Sequence, residues 1–434
     1  MQTNFSPEQL ADRDTAVADT ILRSCVHCGL CTATCPTFVI LGDEDDSPRG
    51  RIYLIKDMLE TDAPATEPLV RHLDRCLSCL ACMTTCPSGV DYMHLIDHAR
   101  KHVAQTSKRL WHDALLRRAL SAILPYPARL RLALRGAALA RATTRVLPRT
   151  GRTWLRLRAM LALAPLNLPP QRPFRKKRMF AAQGTCRARV ALLAGCAQQV
   201  LDPEIHAATI RLLNRLGIEV IVVKNTGCCG ALTHHMGEYK TTLRLARRNV
   251  IAWTIADAEI GLDAIITNTS GCGTFLKDYE FLFRGTPHAQ AAARISGKTR
   301  DITEFLEKFH YQPTQAGPNL TIAYHSACSL QHGQKITDTP RKLLQRAGFT
   351  VTEPRDQHLC CGSAGTYNIL QPEIANDLRN RKLGTLRALH PDAIAAGNIG
   401  CLIQLSNAGI PTVHTVQLLD WMAGGPQPNS LQKK

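Results

Sequence analysis

The 434-residue chain has no uncharged apolar run of the ~18 residues that a membrane-spanning helix needs. The uncharged stretch Ala159–Gln171 is interrupted by Pro165, Pro169 and Pro170. The surface of a membrane stays open to the chain, but not a crossing as a single helix. Gly-x-Gly-x-x-Gly and P-loop signatures are absent, as are helicase and nuclease motifs. With the rest of the length assigned below, no room is left for a flavin domain. The first residues, MQTNFSPEQLADRD, are polar and acidic, with no apolar core of a signal peptide. Acid is almost missing from one segment: between Arg100 and Arg189 stand twenty-two Lys and Arg against Asp113 alone. The remainder is close to neutral, so the formal charge of +18 belongs to one region. That argues against a generally nucleic-acid-coating protein and for a local docking surface.

What the chain does have is cysteine, 17 residues of it, grouped in short motifs. Grouped cysteines without a secretory signal point to metal chemistry in a reducing compartment. Cys25, Cys28, Cys31 and Cys35 precede Pro36; Cys76, Cys79, Cys82 and Cys86 precede Pro87. Both runs read C-x2-C-x2-C-x3-C-P, the ligand spacing of bacterial ferredoxins with two [4Fe–4S] clusters. In that arrangement three thiolates of a run hold one cluster and the fourth holds the other. The expected sets are Cys25, Cys28, Cys31 and Cys86 for the first cluster, and Cys76, Cys79, Cys82 and Cys35 for the second. A zinc site or a disulfide framework would leave the third cysteine of each run surplus.

The expected architecture is multidomain. Residues 6–105 form an α-helical di-cluster ferredoxin domain, with helical sequence at Ala16–Arg23 and from Arg49 between the runs. Residues 106–188 form a basic helical connector. Its first helix carries Leu116, Ala119, Leu120, Ile123 and Leu124 at helical spacing and ends at Pro125 and Pro127. In the next, Leu132, Leu139 and Val146 recur every seven residues, and Arg131, Arg135, Arg141 and Arg145 share one arc, with Gly136 weakening the helix. Residues 171–178 read as an exposed linker. These basic faces are expected to dock on an acidic partner subunit or an anionic membrane surface.

From about 189 the pattern is α/β. Val190–Leu193, Val220–Val223 and Ala264–Ile266 are buried-strand runs, and Glu238–Asp257 reads as a helix. The text then repeats. Cys196, Cys228 and Cys229 return 132 residues later as Cys328, Cys360 and Cys361; Cys272 returns as Cys401. Two α/β modules follow, 189–318 and 319–425. In each, cysteines lie beyond strand ends, where ligands of open α/β sheets gather. The Cys-Cys-Gly text suits a tight turn presenting both sulfurs. Buried, inert cysteine is the bland alternative. Cys186 stands outside both repeats and reads as a free thiol. His234, His235, His325, His332 and His358 lie near these cysteines and read as packing or capping groups, none of them a ligand.

The repeat resembles the cysteine-rich CCG module of heterodisulfide reductases, lactate-oxidation proteins and anaerobic glycerol-3-phosphate dehydrogenase subunits. That module closes with C-x-x-C. Here Thr269 and Asn398 stand at the first cysteine of the closing motif, so four thiols per module remain where heterodisulfide reductase has five for its non-cubane clusters. A further cluster, another metal or redox thiols are open for Cys196, Cys228, Cys229, Cys272, Cys328, Cys360, Cys361 and Cys401. A thiol reductase and a glycerol-3-phosphate dehydrogenase subunit are rival readings.

The whole chain is similar to the iron–sulfur subunits of glycolate oxidase (glycolate dehydrogenase). The matching stretches are Cys25-Val-His-Cys-Gly-Leu-Cys-Thr-Ala-Thr-Cys-Pro-Thr, Pro48-Arg-Gly-Arg-Ile-Tyr-Leu-Ile-Lys, Leu73-Asp-Arg-Cys-Leu-Ser-Cys, Thr85-Cys-Pro-Ser-Gly-Val and His358-Leu-Cys-Cys-Gly-Ser-Ala-Gly-Thr-Tyr. The resemblance implies an electron-transfer subunit with no catalytic residue of its own. FAD sits only on partner flavoprotein subunits, which oxidise glycolate to glyoxylate and D-lactate to pyruvate. Electrons pass to a quinone or another acceptor. The implied location is cytoplasmic, on the cytoplasmic face of the inner membrane, with no nucleic-acid partner.

Overall fold

The fold was analysed in a computed structural model of the full chain. It describes all residues except 142, 143, 145, 146, 149, 166, 167, 171–177, 407, 408, 433 and 434. The expectations for Arg145, Val146 and the linker up to residue 177 lie outside the described residues.

The N-terminal part is helical, as its sequence asks. Asp12 accepts from the Thr15 amide and starts the helix Arg13–Ser24. Ser47 accepts from the Gly50 amide, and Pro48 occupies the first turn of the helix Pro48–Thr61. These two helices, with Glu67–Asp74 and Tyr92–Thr106, bury Ala18, Leu22, Ile55, Leu73, Leu95, Ile96 and Ala99 in one core. The two cysteine runs emerge from the ends of this bundle.

The connector contributes the helices Trp111–Ile123, Pro127–Ala140 and Arg152–Leu163. Pro125 and Pro127 separate the first two, and Gly136 is accommodated inside the second. Asp113, the lone acid, is buried and bonded to Arg109, Arg117 and Arg156. Although burial opposes it, these guanidinium groups hold the Asp113 carboxyl well below the usual carboxylate range. Asp74 of the helical bundle joins the same network through Arg109 and Arg117.

Part of the expected docking face is therefore internal. Arg131 is buried and donates to the Pro169 carbonyl; Arg141 donates to that of Ala164. Leu116, Leu120 and Leu124 pack on Met236 and Leu370 of the modules. A short connector between tightly packed units has to spend its apolar stripe on its own neighbours. Arg135, Leu132 and Leu139 remain exposed, together with Leu110, Trp111 and Leu115. No helix among the described residues is long and apolar enough to cross a membrane.

The C-terminal half holds two sheets. In the first, β1 (Met179–Phe180), β2 (Ala188–Leu192), β3 (Ile218–Ile221), β4 (Ala264–Thr267) and β5 (Thr299–Asp301) run in the order β1-β3-β2-β4-β5. All neighbours are parallel except β1 and β3. In the second, β6 (Thr321–Tyr324), β7 (Thr350–Thr352), β8 (Ala393–Ala396) and β9 (Thr412–His414) are parallel in the order β7-β6-β8-β9. Removing β1 leaves the same topology twice, as the sequence repeat requires. The sheets share one core, in which Val190, Leu192 and Leu213 meet Ile322, Leu344 and Leu419. Trp253, on the long helix Tyr239–Ile260, is fully buried on the other face of the first sheet.

The ferredoxin part is bound firmly to the first module. His94 bridges Asp91 and Asp278 at 2.5 and 2.8 Å and stacks on Phe281. Beside it, Asp97 accepts from His234 at 2.9 Å. His234 is thus an interface group, in keeping with its reading as a packing residue.

Candidate functional site: eight cysteines in two hollows and eight more at the strand ends

The two ferredoxin-type runs adopt the same backbone twist. His27 and Gly29 in the first, and Ser78 and Leu80 at the matching places in the second, all have positive φ. A Cβ on Gly29 would meet the Arg49 guanidinium at 2.7 Å, so glycine suits both the φ and the space. Left-handed turns of this kind aim amide groups at sulfur. The Ser78 amide lies 3.5 Å from Cys76 Sγ, and that of Val90 lies 3.5 Å from Cys86 Sγ.

Folding brings the runs together crosswise. One hollow is lined by Cys25, Cys28, Cys31, Cys86 and Cys82. A second, adjoining hollow is lined by Cys35, Cys76, Cys79 and Cys82. Cys28 is exposed at the rim of the first, beside exposed Val26, Leu30 and Tyr53. The second is interior. Burial pushes the Cys31 thiol up to about 11 and raises Cys79 and Cys82 well above the ordinary range. Such thiols ionise only when a cation replaces the proton, which is what cluster assembly supplies. The donor set fits two cubanes: at least four sulfurs line each hollow, Cys82 lining both, the ligands are soft, and amide donors are aimed at sulfur.

The sequence reading missed the charged support around the second hollow. Arg51 is 1% exposed; it donates to Thr37 Oγ1 and the His72 carbonyl, and its Nη1 lies 3.9 Å from Cys35 Sγ. Asp46, also buried, faces Arg51, His72 and Arg75 at 3.2, 3.1 and 2.6 Å. Tyr92 OH lies 3.8 Å from Cys76 Sγ. A signal for Arg51 was available: it falls on the same helix stripe as Ile55, Met58 and Leu59.

In the modules, Cys196 follows β2 and Cys272 follows β4, neighbouring strands whose connections leave toward opposite sides. This is the crevice where open α/β sheets place ligands. Cys228 and Cys229 enter it from the loop after β3, and Gly230 at φ 102° forms the turn. Cys229 and Cys272 sulfurs are 3.2 Å apart, and Cys196 is hydrogen-bonded to Cys228. In the second module Cys328 lies 3.8 Å from Cys360, and Cys361 lies 3.5 Å from Cys401. A Cβ on Gly362 would strike the Ala375 carbonyl oxygen at 2.4 Å. Each module thus gathers all four of its cysteines.

Thr269 donates to Gln198, within a buried polar network that includes Asn268, His206 and Thr209. Asn398 Nδ2 lies 3.5 Å from Cys401 Sγ. Cys186 is exposed and apart from every cluster, as expected. His332 bonds Thr84 and the His358 carbonyl, a packing role. His325 differs. It is buried, and its ring shares a 4.8 Å sphere with the sulfurs of Cys361 and Cys401. Burial pushes its imidazole down to about 3.

The second module also touches the second hollow. Cys79 and Leu77 pack with Cys360, Tyr367 and Leu378, with Cys328 against the same cluster. Tyr367 OH donates to the Arg75 carbonyl at 2.9 Å. The sulfur-rich sites form one series: the rim hollow, the interior hollow, then the second module.

Fold and site together define an iron–sulfur protein with a duplicated cysteine-rich module. Residues 24–90 match the 4Fe-4S dicluster domain, and 190–277 and 322–406 each match the cysteine-rich domain. The chain is 41% identical to the glycolate oxidase iron-sulfur subunit of Escherichia coli, covering 97% of this chain and 98% of that one. It is 32% identical to the probable glycolate oxidase iron-sulfur subunit of Bacillus subtilis, covering 93% and 94%. Lactate utilization protein A of Geobacillus kaustophilus is 27% identical over half of this chain and 90% of its own length. A hypothetical protein from Helicobacter pylori shares the fold, with a TM-score of 0.52 at 9% identity over 96% of this chain and 74% of that one. The chain belongs to the family of glycolate oxidase iron–sulfur subunits, components of an oxidoreductase complex.

Proposed function

We propose that the chain carries electrons from a flavin on a partner subunit, where glycolate becomes glyoxylate, through two [4Fe–4S] clusters to a quinone or another acceptor. D-lactate, oxidised to pyruvate, is the second substrate of the complex. Cys25, Cys28, Cys31 and Cys86 hold the first cluster; Cys76, Cys79, Cys82 and Cys35 hold the second. The observation that carries this reading is the pair of adjoining hollows, each lined by at least four cysteines drawn from both runs. When bound, such clusters supply one-electron steps, which a two-electron flavin oxidation must be divided into. The protein's own residues fix the sulfurs, offset thiolate charge through Arg51, and keep water from the interior hollow. The exposed apolar rim of Val26, Leu30 and Tyr53 around Cys28 suits the flavoprotein contact.

The test is the co-purified complex, assayed anaerobically with glycolate, D-lactate and glycerol 3-phosphate. Glycolate and D-lactate should reduce a quinone analogue. Turnover of glycerol 3-phosphate alone would overturn the assignment in favour of its rival.

The same reading places the complex on the cytoplasmic face of the inner membrane, attached through the connector. Leu110, Trp111 and Leu115 are exposed on a helix bearing Arg118 and following Lys108, the composition of an interfacial anchor. Replacing Trp111 and Leu115 together by serine should lower binding to anionic phospholipid vesicles roughly tenfold. Equal flotation of wild type and variant at low and high salt would rule this face out.

A further inference from the structure

The two modules are copies in topology but not at one buried position. Leu193 donates its amide to the Ile266 carbonyl, and His325 donates its amide to that of Ala395. The two bonds are equivalent across the repeat, three residues before Cys196 and Cys328 respectively. Leu193 and His325 therefore occupy the same place beside the same cysteines. The first module has an apolar side chain there, and the second has an imidazole.

That imidazole is 1% exposed, and neither ring nitrogen has a hydrogen-bond partner among the described residues. A buried polar ring left unpaired is costly unless something else binds it. A ring nitrogen of His325 and the sulfurs of Cys361 and Cys401 lie within 4.8 Å of one another. Cys360 is hydrogen-bonded to Cys361 and extends the sulfur set to Cys328. Lys382 is buried in the same region, donating to the Asp356 carbonyl at 2.7 Å, and supplies positive charge near the thiolates. The first of the two closing cysteines is replaced by Asn398, so the module is one sulfur short of five. His325 follows β6 and Asn398 follows β8, the two neighbouring strands that flank this crevice.

We infer that the second module holds a redox iron centre whose ligands are its cysteines and the imidazole of His325, and that the first module cannot make this nitrogen ligation. The inference takes up the further cluster left open for these cysteines, and it goes further by naming the ligand and separating the copies. The cluster that Cys79 and Cys360 share, with Cys328 packed against it, puts such a centre next in line after the interior hollow. Soft thiolates with one imidazole suit iron and tune it away from an all-thiolate potential.

The experiment uses the full chain, purified anaerobically, with histidine labelled in ¹⁵N. Iron per chain is measured, and pulsed electron-nuclear spectra are recorded on the oxidised and reduced protein. Two cubanes account for about 8 Fe. The wild type should exceed this and show a strongly coupled histidine nitrogen. His325→Leu, which copies the first module, should lose that coupling and fall back to about 8 Fe. His325→Cys, which restores a fifth sulfur, should keep the extra iron but lose the nitrogen. Extra iron without histidine coupling, or coupling that survives in His325→Leu, overturns the ligand assignment while leaving iron in the module. Iron at about 8 in the wild type, or zinc in place of the excess, overturns both statements. If His325→Leu fails to fold, the labelled wild type and His325→Cys decide between the same outcomes.

Discussion

Replacing Cys79 by serine is expected to abolish glycolate-dependent reduction of an external acceptor while leaving the first cluster in place. Cys79 is buried on the wall of the interior hollow and belongs to the same packed cluster as Cys360. An alcohol at this position is far harder to ionise than a thiol and is a poorer ligand for iron. Removing groups that merely support a metal ligand already costs 10–100-fold in affinity or activity; loss of the ligand itself should lower turnover by roughly two orders of magnitude or more. The crossing of the runs adds a sharper expectation. Cys35→Ser belongs to the first run in sequence but should remove the same centre as Cys79→Ser. Cys86→Ser should instead affect the centre shared with Cys25, Cys28 and Cys31. Iron content and reduced-state paramagnetic spectra of the three variants separate these cases, and exposed Cys186→Ser serves as the control. Normal turnover in Cys79→Ser would sink the relay. Spectra in which Cys35→Ser behaves like a first-hollow variant would refute the crossing while sparing the two clusters.

The cysteine framework was legible because spacing alone dictates it. Two runs of one form imply two sites, and a 132-residue repeat implies two modules with one strand order. Strands such as Ala188–Leu192 and Ala264–Thr267 are short, largely apolar and flanked by helical patterns, so their positions were readable within a residue or two. The partners of the charged residues were not. Periodicity shows that the connector carries arginine on an arc, but not that Arg131 and Arg141 turn inward to carbonyls left free at helix ends and turns. Asp113 stood out as a lone acid. Its role as a hub followed only once Arg156, 43 residues away, was seen beside it. His325 shows the same limit in another form. Read singly, a histidine near cysteines is ordinary packing. Aligned across the repeat it faces a leucine, and that contrast was already in the text.

The largest effect on stability is expected from Asp46→Asn. Asp46 is fully buried and answers three groups: Arg51, Arg75 and His72. Its backbone carbonyl also accepts from Thr37 and lies 3.5 Å from Cys35 Sγ. Asparagine keeps the size and the carbonyl but removes the charge, leaving the Arg51 guanidinium buried without a counter-ion. Breaking one partner of a buried pair costs roughly 3–5 kcal/mol, because the surviving charge stays desolvated. The bridge also crosses between segments, linking the turn at 44–46, the helix Pro48–Thr61 and the helix Glu67–Asp74. All three meet at the interior hollow, so the loss should reach the site as well as the fold. The variant should melt well below the wild type in differential scanning calorimetry, and its iron should fall by about the four atoms of one cubane. A double variant, Asp46→Asn with Arg51→Met, separates the two causes. Removing both charges should recover much of the stability, since an apolar pair in a packed core is often as stable as an ion pair. It should not recover the second cluster, because Arg51 Nη1 is the charged donor that faces Cys35 Sγ. Full iron content in the double variant would show that Arg51 serves the helix bundle alone. Unchanged melting of Asp46→Asn would show that the turn relaxes to let water reach Arg51.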